Sequence, residues 1–209
     1  GEQVGLITYM RTDSTRLSDS SKEAAKKFIT DKYGKNYLGT EPKAKKKKSN
    51  VQDAHEAIRP VSTNYEPKSI ESDLSSDYFR LYKLIWDRYL ASQMAAAEYD
   101  RTQIVVEANG QEKCFLRASG SILVFDGFTK IYTEGLDDKK DDHKDNLLPE
   151  LEKQEKLNLN DIKTEQKFTQ PPPRYTEATL VRELEELGIG RPSTYAPTLS
   201  TIQDRGYVI

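Results

Sequence analysis

Apolar positions between residues 76 and 97 recur every three to four residues, at Phe79, Tyr82, Leu84, Ile85, Trp86, Tyr89, Leu90 and Met94. That spacing collects them on one face of an amphipathic helix. The aromatic content would also suit base stacking, but the same face carries Leu and Ile, and stacking platforms must be exposed. Core packing is the stronger reading. The period then changes to two: residues 102–106, 113–117, 122–125 and 128–132 read as strands, with Asn109-Gly110 and Asp126-Gly127 as turns. Residues 156–168 read as one or two further strands.

Toward the N-terminus an extended start over 4–10 precedes a helix over 19–33, with Ser18 as N-cap and Gly34 as its stop. Residues 52–58 fit one or two helical turns ended by Pro60. Near the C-terminus Pro171-Pro172-Pro173 makes a stiff junction. Thr176 then caps a helix over 177–187, with Leu180, Val181, Leu184 and Leu187 as one apolar stripe and Gly188 as its end. After the tight Gly188-Ile189-Gly190-Arg191-Pro192 connection, Ser193 or Thr194 caps a second helix running to about Arg205. Helix, turn, helix and Gly206-Tyr207-Val208 suit the front of a winged helix-turn-helix and, equally, a plain helical hairpin. The expected fold class is α+β and multidomain: a helical domain over 1–98, a β-rich segment over 99–168, and the start of a second helical domain over 169–209.

At 209 residues the chain can hold one or two domains. It starts with Gly1, not Met, and has no signal peptide and no apolar run long enough to span a membrane, so the expectation is a piece of a cytoplasmic protein without a membrane partner. The single cysteine, Cys114, excludes an internal disulfide framework and a cysteine-rich zinc finger, and reads as a small hydrophobe in a strand.

Charge argues mildly against a dedicated nucleic-acid binder: 32 Lys and Arg face 34 Asp and Glu, giving a net charge of -2. Its distribution softens that objection. Acidic residues gather at Asp137, Asp138, Asp141, Asp142 and Asp145 and again at Glu183, Glu185 and Glu186, while Arg11, Arg16, Arg59, Arg174 and Arg191 mark other stretches. A groove can be positive on a chain that is neutral overall. Five lysines among residues 43–48 read better as a solvated loop than as a phosphate-tracking arm.

Candidate chemistry concentrates in Leu6-Ile7-Thr8-Tyr9-Met10-Arg11-Thr12-Asp13-Ser14-Thr15. A phenol attacks phosphorus at neutral pH only if something stabilises the phenolate or takes its proton. The planar guanidinium of Arg11 can do the first, or clamp a phosphate. Two residues apart on a strand, Tyr9 and Arg11 also fit an ordinary half-exposed stack. The polar company of Thr8, Thr12, Asp13, Ser14 and Thr15 favours a site. On a helical turn His55 and Arg59 would share a face and hold one phosphate from two sides, or decorate a surface helix with Glu56. Arg191 beside a helix N-terminus makes a further phosphate cradle. Asp13 and Glu56 form no recognisable metal site and are better explained as orienters of a neighbouring hydroxyl or arginine.

The segment Gly5 to Thr15 resembles the active-site motif of bacterial type IA DNA topoisomerases. Asp53-Ala54-His55-Glu56-Ala57-Ile58-Arg59-Pro60 resembles that family's second active-site motif, and residues 171–208, with Gly188-Ile189-Gly190-Arg191-Pro192-Ser193-Thr194-Tyr195-Ala196, resemble its downstream DNA-contacting segment. Met10 favours the topoisomerase I branch over the topoisomerase III branch, which carries Pro there.

The resemblance implies a central fragment: a winged-helix-like domain with the nucleophile, a β segment of the gate-forming arch with an exposed edge, and the start of a DNA-binding helical domain. It implies that Tyr9 attacks one strand of single-stranded DNA and forms a 5'-phosphotyrosine link, and that strand passage and religation relax negatively supercoiled duplex DNA without ATP. Arg11 would stabilise phenolate and scissile phosphate, His55 would hold an adjacent phosphate, and Arg59, Arg174, Arg191, Ser193 and Thr194 would position the strand. Mg2+ belongs to a Toprim domain of the same polypeptide, upstream of the tyrosine motif, so no metal site and no relaxation activity are expected of this chain alone. The alternative is a noncatalytic winged-helix-type DNA-binding module.

Overall fold

The computed structural model describes residues 5–40, 55–133 and 148–208. The lysine run, the acidic stretch over 137–145 and the motif residues Asp53 and Ala54 lie outside them. Two compact units result: the first holds residues 1–97, 126–134 and 175–209, the second residues 98–125 and 135–174.

In the first unit α1 covers Asp19–Tyr33 and α2 covers Ser76–Ala91. Between them three short 3-10 turns, Lys35–Tyr37, Pro67–Ser69 and Glu71–Asp73, carry the chain. The bounds of α1 match the expectation. Ser18 occupies the N-cap position without a capping hydrogen bond, and Gly34 at φ 97 receives the chain where the helix stops. Ala25 and Ile29 of α1 meet Tyr82, Trp86, Tyr89, Leu90 and Met94 in one core. Leu6 and Ile7, just before Tyr9, pack against it.

Tyr82, Trp86 and Tyr89 of α2 are therefore core, as their spacing suggested, although Tyr78 and Leu84 are exposed. Two of the three buried polar tips are satisfied inside: the Tyr82 hydroxyl donates to the Tyr65 carbonyl and the Tyr89 hydroxyl to the Ser21 carbonyl, each at 2.6 Å, while the buried Trp86 Nε1 has no hydrogen-bond partner among the described residues. A buried phenol that keeps one such bond contributes its ring area at little polar cost. Burial, with Tyr65 nearby, pushes the Tyr82 hydroxyl up to about 12.

Helix α2 stops six residues before the expected end at 97, because the next backbone groups pair elsewhere. Gly39 N–H donates to the Gln93 carbonyl at 2.9 Å, and Ala95 N–H to the Tyr37 carbonyl at 2.8 Å. Leu38 and Met94 form an antiparallel bridge there. A Cβ on Gly39 would lie 2.7 Å from the Met94 carbonyl oxygen, so glycine permits that approach.

The expected strand over 128–132 is a 3-10 helix, Gly127–Lys130. Gly127 at φ 49 turns the chain, and the Asp126 carbonyl accepts from both the Thr129 N–H and its hydroxyl. Phe128 and Ile131, three apart, then face the core.

The second unit contains a two-stranded antiparallel ribbon, β1 Glu98–Asn109 with β2 Lys113–Phe125. The two strands expected at 113–117 and 122–125 are one. Gly120 does not interrupt them, since Thr102 pairs opposite it and β1 is long enough to carry the ladder through. Both faces are largely exposed, with Val105, Phe115, Leu116 and Val124 open to solvent, and Cys114 on β2 is exposed too. Residues 156–168, expected as strands, have no regular structure. Their apolar residues Leu157, Leu159, Ile162 and Phe168 are exposed, and among the described residues no ladder partner holds them.

The C-terminal stretch of the first unit is a helical pair, α3 Glu177–Glu186 and α4 Tyr195–Asp204. Thr176 caps α3 with a reciprocal box: it accepts from the Thr179 N–H at 3.2 Å, and the Thr179 hydroxyl accepts from the Thr176 N–H at 2.8 Å. Gly188 and Gly190, at φ 71 and 79, turn the chain between the helices. Among the described residues no helix is long and apolar enough to cross a membrane.

Candidate active site

Tyr9 follows directly on the bridge between Ile7 and Pro60. Thr8 N–H donates to the Arg59 carbonyl at 2.9 Å and Val61 N–H to the Leu6 carbonyl at 3.0 Å, so the two motif segments run side by side. The Thr8 hydroxyl completes the join by accepting from the Arg59 N–H at 3.0 Å and donating to the Ala57 carbonyl at 2.9 Å. Leu6 and Ile7 anchor this piece in the core, whereas Tyr9 is 54% exposed and Met10 and Arg11 also face solvent.

The ring of His55 lies 5.1 Å from that of Tyr9, centroid to centroid, tilted by 38°. Residues 55–58 are not helical, which corrects the expected turn and the shared helical face of His55 and Arg59. Their backbone groups bond to the tyrosine segment instead: Ala57 N–H donates to the Arg16 carbonyl at 2.8 Å, and the Ala57 carbonyl accepts from Thr8. Arg16 is brought there by two side-chain turns, Ser14 N–H to the Thr12 hydroxyl at 3.0 Å and Arg16 N–H to the buried Ser14 hydroxyl at 3.2 Å. The short polar residues around Tyr9 thus shape the loop that follows it.

Arg59 points back toward its own segment. Its Nε and Nη2 donate to Glu56 Oε2 at 2.9 and 2.7 Å, and Nη1 donates to the Pro60 carbonyl at 3.0 Å. Glu56 orients this arginine, as its sequence context suggested. Burial would raise the Glu56 carboxyl, but hydrogen bonds from Arg59 and Ser18 and the charges of Arg59 and Arg16 outweigh it and hold the group below the ordinary range.

The remaining candidates lie apart in sequence, and Arg191 and Thr194 have local bonds. Arg174 is the last residue of the second unit and is exposed. Arg191 N–H donates to the Thr194 hydroxyl at 2.8 Å and Arg191 Nη1 to the Gly190 carbonyl at 2.7 Å, while Ser193 is exposed. Thr194 takes the N-cap position of α4, but its hydroxyl serves Arg191 and not the helix. A groove of about 780 Å³ is lined by Lys27, Lys32, Arg59, Ser62 and Asn64 among others, and not by Tyr9, Arg11 or His55. The tyrosine site is an open surface. Among the described residues no three His, Cys, Asp or Glu side chains come together to hold a metal.

The sequence model of a family described as DNA topoisomerase matches residues 2–209. The chain belongs to the bacterial type I DNA topoisomerases. Among solved structures this topoisomerase chain is similar to full-length topoisomerase I from Thermotoga maritima, at 35% identity and a TM-score of 0.70. The match covers 99% of this chain and 32% of that one, so the topoisomerase chain spans about a third of its relative's length. Its mixed helices and two-stranded antiparallel sheet agree with that fold.

Proposed function

We propose that this chain supplies the covalent half of a type IA topoisomerase, as the central part of a longer polypeptide that cleaves one DNA strand, passes another and reseals. The supporting observation is the pairing of a half-exposed Tyr9 with the His55 ring at 5.1 Å, in a chain of this family. A surface phenol beside an imidazole suits a substrate that must enter and leave as an extended strand.

In the forward step the Tyr9 oxygen bonds to phosphorus and the bond from phosphorus to the 3' oxygen breaks. The phenol proton leaves Tyr9, and a proton reaches the departing 3' oxygen. The 5'-phosphotyrosine conserves the phosphodiester, so religation runs the same exchange backward and needs no ATP. Arg11, two residues on, stabilises phenolate and scissile phosphate; His55 holds the adjacent phosphate.

Arg59 contributes to positioning the strand through what Glu56 and Pro60 leave free. Three of its five N–H donors are engaged, so two remain. Arg174, Arg191, Ser193 and Thr194 extend strand contact outside the tyrosine segment. Mg2+, by the family resemblance, is held by Toprim residues, and the exchange at Tyr9 is not routed through it. The domains proposed are the tyrosine-bearing helical domain over 1–98, the arch segment over 99–168 and the second helical DNA-binding domain from 169. The partners are single-stranded DNA, negatively supercoiled duplex and the Toprim domain.

The test joins this chain to a Toprim domain and incubates it with end-labelled single-stranded oligonucleotide and magnesium. A tyrosine-linked adduct that Tyr9→Phe abolishes supports the reading; no adduct with the parent sequence overturns it and leaves the noncatalytic winged-helix module. Supercoil relaxation by this chain alone would refute the need for Toprim residues. Binding measured at two salt concentrations must weaken as salt rises, because the contacts are to phosphate.

A further inference from the structure

We infer that Thr8 is a positioning residue, whose hydroxyl sets the phenol of Tyr9 against the imidazole of His55. This rests on the proposed covalent chemistry at Tyr9 and names a further residue of that site.

Residues 55–58 form no helix, so they cannot satisfy their own backbone groups. The tyrosine segment satisfies them on two sides. Arg16 holds the Ala57 N–H from beyond Tyr9, and Thr8 holds the Ala57 carbonyl from before it. The two backbone bonds of the Ile7–Pro60 bridge fix Thr8 against Arg59 and Leu6 against Val61, which places them downstream of His55. The side chain of Thr8 reaches back along the second segment to Ala57, two residues from His55. The same oxygen accepts the Arg59 N–H, so one hydroxyl is donor and acceptor at once and its rotamer is locked from both ends.

Thr8 is also the immediate neighbour of Tyr9, and it is partly buried while Tyr9 is exposed. Its hydroxyl therefore joins the anchored side of the bridge to the solvent-facing pair. Without it the 55–58 segment keeps its Arg16 bond and its covalent link to Pro60, and His55 can swing relative to Tyr9. Displacement of a reacting group by about 1 Å is enough to cost about 100-fold in rate.

Three substitutions separate this role from simple packing. Thr8→Val keeps the branched shape and loses both hydroxyl bonds, Thr8→Ser keeps the hydroxyl and loses the methyl, and Thr8→Ala loses both. The polypeptide that contains a Toprim domain together with this chain is assayed with labelled oligonucleotide for adduct rate and for binding. The expected order of adduct rate is parent and Ser similar, with Val and Ala about 10- to 100-fold slower and oligonucleotide affinity unchanged. A shape role would instead leave Val like the parent and make Ser weak, and that order would overturn the inference.

A double-mutant cycle with His55→Ala adds a readout that a general structural role would not move. If Thr8 acts through the Tyr9–His55 geometry, Thr8→Val costs little in the His55→Ala background; a full and additive loss there would overturn the inference. Should Thr8→Val melt below the assay temperature, Ala against Ser decides in its place: equal rates overturn the inference, and a slow Ala with a parental Ser supports it. A parent that forms no adduct fails the functional reading itself, while a parent that forms adduct and a Thr8→Val that does so equally fast fails only the role of Thr8.

Discussion

The imidazole of His55 packs at 5.1 Å and 38° on the ring of Tyr9, although 45 residues separate them in sequence. Truncating His55 removes the ring that packs on the phenol and, under the proposed function, the group that holds the adjacent phosphate. His55→Ala in the Toprim-containing polypeptide should slow adduct formation about 100-fold, equivalent to about 2.7 kcal/mol of barrier. Single-turnover cleavage measures it, and a rate within a factor of two of the parent would remove His55 from the chemistry.

The core under the site is narrow, and Leu90 at its centre has no exposed surface. Leu90→Ala should destabilise the first unit by about 2–5 kcal/mol through lost burial and the cavity left behind. Tyr89→Phe keeps the ring and deletes one buried bond to Ser21, so about 1 kcal/mol is expected. Denaturant melts followed by the fluorescence of Trp86 report both. A larger loss for Tyr89→Phe than for Leu90→Ala would contradict this ranking.

Acid should loosen the second motif through Glu56. Its carboxyl sits below the ordinary range when folded, so it contributes stability above the unfolded value, and that contribution is lost as pH falls through the folded value. Between about pH 5 and about pH 3 the parent should lose more thermal stability than Glu56→Gln, whose side chain does not titrate. Parallel melting curves for the two proteins across that window would show that the pair with Arg59 contributes nothing.

Tyr37, Asp126 and Lys130 form a second ionic group where the chain leaves the ribbon. The Tyr37 hydroxyl donates to Asp126 Oδ1 at 2.7 Å, and Lys130 Nζ approaches Asp126 Oδ2 at 3.2 Å. The Tyr37 bond is the main cause that holds the Asp126 carboxyl low, with Lys130 adding to it. Tyr37→Phe should therefore raise the Asp126 titration, read by carboxyl NMR. An unmoved titration would assign the depression to Lys130 alone.

Gly127 tolerates no side chain. At φ 49 it already sits where L-residues are strained, and a Cβ would lie 2.5 Å from the Ala96 carbonyl oxygen and 2.6 Å from that of Ala95. Gly127→Ala should lower the melting temperature of the first unit more than Gly5→Ala, since a Cβ at Gly5 meets nothing within 4 Å. Equal effects would argue that the turn at Gly127 relaxes.

Where local pattern and local bonding coincide, the chain was readable from its residues. Helix α1 has its expected ends because its repeat, its Ser18 and Gly34 all lie within one segment. The Thr176 cap was legible for the same reason, and the aromatic stripe of α2 pointed to core because Leu and Ile shared it. The order of the three motifs pointed to the family without any tertiary information. Failures came where a backbone group had a better partner far along the chain. Residues 93–95 look helical but pair with residues 37–39, and Phe128 to Ile131 look like a strand but turn about Gly127 to reach the core.

The site divides along the same line. Sequence alone picked out Tyr9, Arg11 and His55 as the candidates for the chemistry, since phenol, guanidinium and imidazole are properties of those side chains whatever the fold. Tertiary structure decided how Tyr9 and His55 meet. The expected helix over 52–58 would have aimed His55 and Arg59 together at one phosphate; residues 55–58, which are not helical, hand Arg59 to Glu56 and His55 to Tyr9. The physical reason is that unpaired backbone groups of a short segment take the partners nearest in space. Here those partners, Thr8 and Arg16, lie more than 40 residues away in sequence.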